Sequence, residues 1–274
     1  MKDNLQRPLI GFFDSGVGGL SVLRAIHTLI PAQPTIYLAD QAHVPYGPRP
    51  LKQVQAFSEE ITRYFLEKGS GLIVVACNAA SAAALHHLRE TFPDTPFVGM
   101  EPAVKPAAES THTGVVGVLA TPATFQGELY ASVVERFANG ARILQDTCPG
   151  LVAQIERGEL DSPDTLEILE KAILPMLAQG IDTIVLGCTH YPFVIPQIRT
   201  IAGPDVRVID PAPAVARQAI RLLGERGWLA KDGPVGNHTY VTTGPGSVFA
   251  DLAWQLIGIS IQVEEIRWGR ELVI

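Results

Sequence analysis

Along most of the chain, short apolar runs rich in Val and Ile alternate with longer stretches whose apolar positions recur every three to four residues. The first pattern marks strands buried on both faces and the second amphipathic helices, and their alternation predicts α/β units around mostly parallel sheets. The strand runs fall at residues 9–13, 35–39, 72–76, 97–100, 115–119, 142–145, 183–187 and 206–209, with two more near 239–243 and 262–267. Residues 51–68 carry Val54, Phe57, Ile61, Tyr64 and Phe65 at helical spacing, and residues 165–177 carry Leu166, Leu169, Ile173 and Leu177.

Within this alternation two stretches about 110 residues apart share a layout. Leu72-Ile-Val-Val-Ala-Cys77-Asn78 and Thr183-Ile-Val-Leu-Gly-Cys188-Thr189 are each a buried-type strand followed by a cysteine and a short polar residue. Downstream, Glu101-Pro-Ala follows Cys77 by 24 residues and Asp210-Pro-Ala follows Cys188 by 22. Upstream, the strand ending at Phe13 has its counterpart in the one ending at Leu119. The chain therefore divides into two similar α/β halves with a C-terminal segment left after about Pro211. In parallel α/β sheets the carboxyl ends of strands face the ligand crevice, so the two cysteines belong on opposite sides of a shared cleft.

The 274 residues are enough for one large or two modest domains with a real core. Charged residues are 18% of the chain, below the usual value of about 25%, which excludes a disordered or coiled-coil protein. Asp plus Glu is 28 against 21 for Lys plus Arg, giving a charge of -7 that argues against a nucleic-acid or anionic-membrane partner and favours a small molecule. No apolar run reaches the roughly 18 residues of a membrane span, and residues 1–8 are polar with no apolar signal core, so a cytoplasmic location is expected.

Three cysteines without CxxC spacing indicate neither a disulfide framework nor a zinc site. A lone cysteine packs as a small hydrophobe, and Cys148 is assigned that role, but the repeated polar residues after Cys77 and Cys188 have no packing reason to recur. Two opposed thiols suit paired acid/base work. One thiolate removes a proton from carbon while the opposite thiol delivers one to the other face, which is racemisation or epimerisation. A thiol of ordinary pKa about 8.5 needs tuning for this, and His190 and Asp14 are the nearest groups in sequence to supply it. Asp14-Ser-Gly-Val-Gly-Gly-Leu20 lacks the spacing of a nucleotide-binding glycine loop, whereas its backbone amides and the Ser15 hydroxyl suit a carboxylate. Pro45-Tyr46-Gly47 reads as a turn, and the adjacent His86 and His87 lack the spacing of a helical metal pair.

These segments carry a resemblance that runs nearly end to end. GFFDSGVGGL at 11–20, ADQAHVPYG at 39–47, ACNAASA at 76–82, GCTHYP at 187–192 and the TTG and FADLAWQL elements within 242–256 resemble the bacterial glutamate racemases, in the cofactor-independent aspartate/glutamate racemase superfamily. The resemblance implies two pseudo-symmetric doubly wound α/β domains with the active site between them, the first formed by residues 1–101 plus 211–274 and the second by 102–210. It implies Cys77 as the thiol that takes the α-proton from D-glutamate and Cys188 as the one that takes it from L-glutamate, assisted by Asp14, His190 and Glu156. Substrate contacts carried over by motif are Asp14, Ser15, Tyr46, Gly47, Asn78, Ala79, Thr189 and His190. Many members have Thr where this chain has Ala79, which removes a hydroxyl and leaves a backbone amide. No pyridoxal phosphate, metal or nucleotide is expected, glutamate is the expected small-molecule partner, and a homodimer is the candidate assembly. The short stretch ahead of the first strand sets the chain apart from longer-tailed members that respond to a peptidoglycan precursor. A related amino-acid racemase, an arylmalonate-type decarboxylase with one working cysteine, and a non-catalytic binding module without the thiols are the competing classes.

Overall fold

The computed structural model describes residues 8–138, 140–230 and 233–269 together with the backbone of Leu272–Val273. The polar N-terminal residues 1–7 lie outside the described residues. In chain order the first elements are β1 Leu9–Asp14, α1 Leu20–Leu29, β2 Thr35–Ala39, α2 Leu51–Glu67, β3 Ser70–Val75, α3 Asn78–Thr91 and β4 Phe97–Gly99. A second series follows with α4 Val104–Ser110, β5 Val115–Ala120, α5 Pro122–Gln126, α6 Glu128–Phe137, β6 Arg142–Asp146, α7 Leu151–Glu156, α8 Pro163–Leu177, β7 Thr183–Gly187, α9 Ile195–Ala202 and β8 Arg207–Ile209. The chain then adds α10 Ala212–Glu225, β9 His238–Thr242, α11 Gly246–Ile257 and β10 Val263–Glu265, and ends in a small antiparallel pair, β11 Arg267–Trp268 with β12 Leu272–Val273.

Two parallel sheets result, one in the order β10-β9-β2-β1-β3-β4 and the other β6-β5-β7-β8. The β2-β1-β3-β4 and β6-β5-β7-β8 segments have the same strand order, so the repeat seen around the cysteines is a repeat of topology. Each central strand is apolar because helices cover both faces of its sheet. One apolar cluster runs from the α1, α10 and α11 side of the first sheet to the α7, α8 and α9 side of the second. The opposite faces have their own clusters, against α2 and α3 in one half and against α4 and α6 in the other. Burying Phe12 and Phe13 of β1 completely contributes at most about 1.5–3 kcal/mol each.

The expected strands and helices are present with ends displaced by one or two residues. The clearest difference is at 262–267, where the run breaks at buried Ile266, whose amide turns to the Thr242 carbonyl at 2.9 Å. Local chemistry explains the helix starts near the site. Cys77 has extended dihedrals and its Sγ accepts from the Ala80 amide at 3.5 Å, taking the capping place usually held by Ser or Thr, and an alanine-rich first turn follows. Ser162 caps α8 in the ordinary way, with Pro163 at its first position.

Candidate active site

The carboxyl ends of β1, β3, β5 and β7 converge on a cleft between the halves, with about 250 Å³ free of protein atoms. Its walls include Ser15, Tyr46, Gly47, Cys77, Asn78 and Ala79 from the first half, and Cys188, Thr189 and His190 from the second. Asp14 and Glu156 stand directly behind this lining. Hollows of about 1080 and 1310 Å³ elsewhere contain no thiol, and one of about 640 Å³ that shares Pro45, Gly47, Thr121 and Val152 with the cleft contains only that of Cys148. Cys148 is buried in the apolar cluster, and burial pushes its thiol far above the ordinary value. His86 and His87 face away from each other toward Glu90 and Glu59. Among the described residues no group of three or more His, Cys, Asp or Glu side chains is arranged to hold a metal.

The second-half thiol has a charged partner. Cys188 Sγ lies 3.8 Å from His190 Nδ1, and His190 Nε2 lies 2.6 Å from Glu156 Oε1. Burial alone would lower the affinity of this imidazole for its proton; the contacts with Cys188 and Glu156 outweigh it and hold His190 well above its ordinary value. As an imidazolium it donates from both nitrogens, one toward Cys188 and one to Glu156.

The first-half thiol has a different setting. Burial pushes Cys77 well above the usual thiol range, the nearby Asp14 carboxylate adds to this, and the Ala80 and Ser15 amides oppose it. Asp14 is itself raised by burial, against the pull of His190 and of bonds from the Gly16 amide at 2.8 Å and the Thr189 hydroxyl at 2.8 Å.

Glycines make the contact between halves close. A Cβ at Gly16 would come within 2.6 Å of Glu156 Cδ, and one at Gly18 within 2.6 Å of His190 Cε1. The loop after β1 does hold a carboxylate, as its composition suggests, but the Val17 amide takes that of Glu156 at 2.8 Å, from within the protein. Asn78 is buried at the cleft with neither its amide oxygen nor its amide nitrogen partnered. Such an orphaned polar group in a binding cleft marks a place where a polar ligand completes the hydrogen bonding. Among the described residues no Lys or Arg lines the cleft.

Three lining residues escaped the sequence reading: Pro45, Thr121 and Val152. Thr121 was within reach of it, because aligning β1 with β5 places Thr121 on Ser15. Pro45 adjoins the Tyr46-Gly47 pair, and its bond to Val44 is cis. Nothing in the sequence points to Val152, which reaches the cleft through the placement of α7.

Residues 10–219 match the family model described as Asp/Glu/Hydantoin racemase, and the chain belongs to that family. It is 50% identical over 257 residues to a glutamate racemase from Roseiflexus sp. (strain RS-1), covering 93% of this chain and 94% of the relative. A glutamate racemase from Pseudomonas aeruginosa is 48% identical, covering 81% and 83% of the two chains. Among solved structures, a glutamate racemase isoform from Bacillus anthracis matches with a TM-score of 0.86 and 32% identity, covering 95% of this chain and 97% of that one. The Escherichia coli glutamate racemase, solved with L-glutamate and an activator, matches with a TM-score of 0.83 and 31% identity, covering 96% of this chain and 100% of that one. Within the family, the chain falls among the glutamate racemases.

Proposed function

We propose that this chain racemises glutamate with two thiols, moving one proton off and another onto the α-carbon from opposite faces. The observation that carries the proposal is the presence of Cys77 and Cys188 in one cleft, each at the end of the same strand of a repeated sheet. Burial favours a neutral thiol at Cys77, ready to give its proton, and the charged His190 faces Cys188 at 3.8 Å. In this reading Cys188 acts first on L-glutamate. The Cys188 thiolate takes the α-proton, the electron pair rests on the α-carbon, and the Cys77 thiol protonates the other face. D-glutamate forms, leaving Cys77 as thiolate and Cys188 as thiol, so the reverse reaction begins at Cys77. Asp14 and Glu156 act behind the thiols, Glu156 by holding His190 charged and in place. Ser15, Gly47, Asn78, Ala79 and Thr189 hold the carboxylates and amino group through amides, hydroxyls and the free Asn78 side chain, and Tyr46 contributes its backbone and ring to the wall of the cleft.

In this account residues 1–101 plus 211–274 form one domain and 102–210 the other, and both proton transfers use the chain's own groups without pyridoxal phosphate, metal or nucleotide. No helix among the described residues is long and apolar enough to cross a membrane. We place the enzyme in the cytoplasm, where its D-glutamate supplies peptidoglycan and so cell wall biogenesis and cell shape. Incubation of each glutamate enantiomer in deuterium oxide tests the proposal: deuterium should enter the α-position as the opposite enantiomer appears. A decarboxylase or a binding module would leave the α-hydrogen in place.

A further inference from the structure

Asp40, one residue beyond β2, is completely buried, and its carboxylate faces four side-chain donors. Oδ2 accepts from the Tyr46 hydroxyl at 2.5 Å and lies 2.9 Å from His43 Nδ1. Oδ1 accepts from the Trp268 indole at 2.6 Å and from the Thr243 hydroxyl at 2.7 Å. A buried carboxylate is retained only where hydrogen bonds replace its lost hydration, and four donors to one group do so.

The donors come from two places. His43 and Tyr46 belong to the loop that ends in the cleft wall, whereas Thr243 and Trp268 come from the chain beyond β9, more than 200 residues away. His43 also stacks on Phe57 at 4.0 Å and meets the Trp268 ring edge-on at 5.0 Å, so the donors form one packed unit. Tyr46 passes the constraint onward. Its ring is buried, its oxygen is committed to Asp40, and with Pro45 and Gly47 it lines the cleft. Gly47 completes the span, since its carbonyl accepts from the Ala123 amide of the second half at 3.0 Å and a Cβ on it would meet Thr121 at 2.7 Å. A lip this closely fitted on its far side needs a fixed anchor on its near side.

We infer that Asp40 is the positioning residue of the substrate cleft, fixing Tyr46 and through it the 45–47 lip, and tying both to Thr243 and Trp268 of the C-terminal segment. This inference rests on glutamate being the substrate. Asp40 touches no reacting group, so its loss should weaken the hold on substrate and transition state alike, which raises KM and leaves kcat in place.

The test is steady-state racemisation in both directions by the parent, Tyr46→Phe, Asp40→Asn and Trp268→Phe. Tyr46→Phe keeps the ring and removes only the bond to Asp40, so it should fold. It should raise KM about ten-fold in both directions with kcat within about three-fold. Asp40→Asn, whose amide nitrogen must face a donor, should do at least as much, and the double variant should do no more than Asp40→Asn alone. Trp268→Phe should shift KM in the same direction by less. Folded Tyr46→Phe with parental KM, or with kcat reduced at unchanged KM, overturns the assignment. So does Asp40→Asn that loses thermal stability while its folded fraction keeps the parental KM. A parent that does not racemise glutamate would remove the functional proposal and this inference together, whereas an active parent with unaffected variants removes this inference alone.

Discussion

Cys77 and Cys188 end equivalent strands of equivalent sheets, yet their neighbours differ in kind. Cys77 caps a regular α-helix and meets an amide and a buried carboxylate. Cys188 is followed by a short 3-10 turn over Tyr191–Val194, and its nearest titratable partner is His190, with Glu156 beyond. The difference teaches that a duplicated scaffold fixes where two groups stand, while the side chains packed against each fix what it meets, a buried carboxylate and amides at Cys77 and a charged imidazole at Cys188. A racemase needs the first to be symmetric and the second not to be, because at any moment one thiol must be acid and the other base.

The largest effect should come from removing either thiol. Cys77→Ser and Cys188→Ser should each slow racemisation by about 10²–10⁴ without unfolding the protein, since a hydroxyl is a poor base at this position. With a glutamate analogue carrying a β-leaving group, elimination requires only the abstracting thiol. Cys77→Ser should then keep elimination from the L-analogue and Cys188→Ser from the D-analogue. Equal loss of both by either folded variant would break the comparison.

Next in size is Glu156→Gln, which removes the negative charge behind His190. Proton abstraction from L-glutamate should fall by about 10–100-fold, and from D-glutamate by less, measured as the initial rate of deuterium exchange from each enantiomer. The same variant has a signature in stability. The raised proton affinity of folded His190 stabilises the protein fully below the unfolded pKa of about 6.5, and this stabilisation is lost as pH rises through the higher folded value. Urea midpoints of the parent should therefore decline from pH 6.5 upward, and in Glu156→Gln this decline should be smaller and end at lower pH. A parallel pair of curves would detach His190 from Glu156.

Gly16→Ala should act on the same contact by crowding the Glu156 carboxylate, at a stability cost of about 1–3 kcal/mol in chemical denaturation. The smallest effect is expected of Cys148→Ser, whose racemisation rates in both directions should stay near those of the parent. A large asymmetric change there would bring a third thiol into the comparison.

Much of this was legible in the sequence because parallel strands buried on both faces leave uninterrupted apolar runs, and the repeat around the cysteines gave the topology. Cys77, Cys188, Asn78, Thr189 and His190 were visible because they directly follow such strands. Thr121 was overlooked although the repeat maps it to Ser15. The Asp40 cluster was out of reach, since its Thr243 and Trp268 donors lie more than 200 residues from the carboxylate and only the folded chain brings them there. The self-occupied amide of Val17 was equally hidden, because composition describes an anion site without saying whose anion fills it.

The insertion of β9 beside β2 has a consequence for the newborn chain. When β2 leaves the ribosome its outer edge has no partner, and the strand that covers it is specified some 200 residues later, after the whole second sheet. The inner part of the first sheet and all of the second can assemble from nearby sequence, but the β2 edge must wait with its backbone groups open. Exposed strand edges recruit other chains, so this interval is where the protein is most exposed to mispairing during synthesis. The strand that closes the β2 edge is therefore made only after the whole second sheet, and a chain truncated before residue 238 would keep both cysteines yet leave that edge bare.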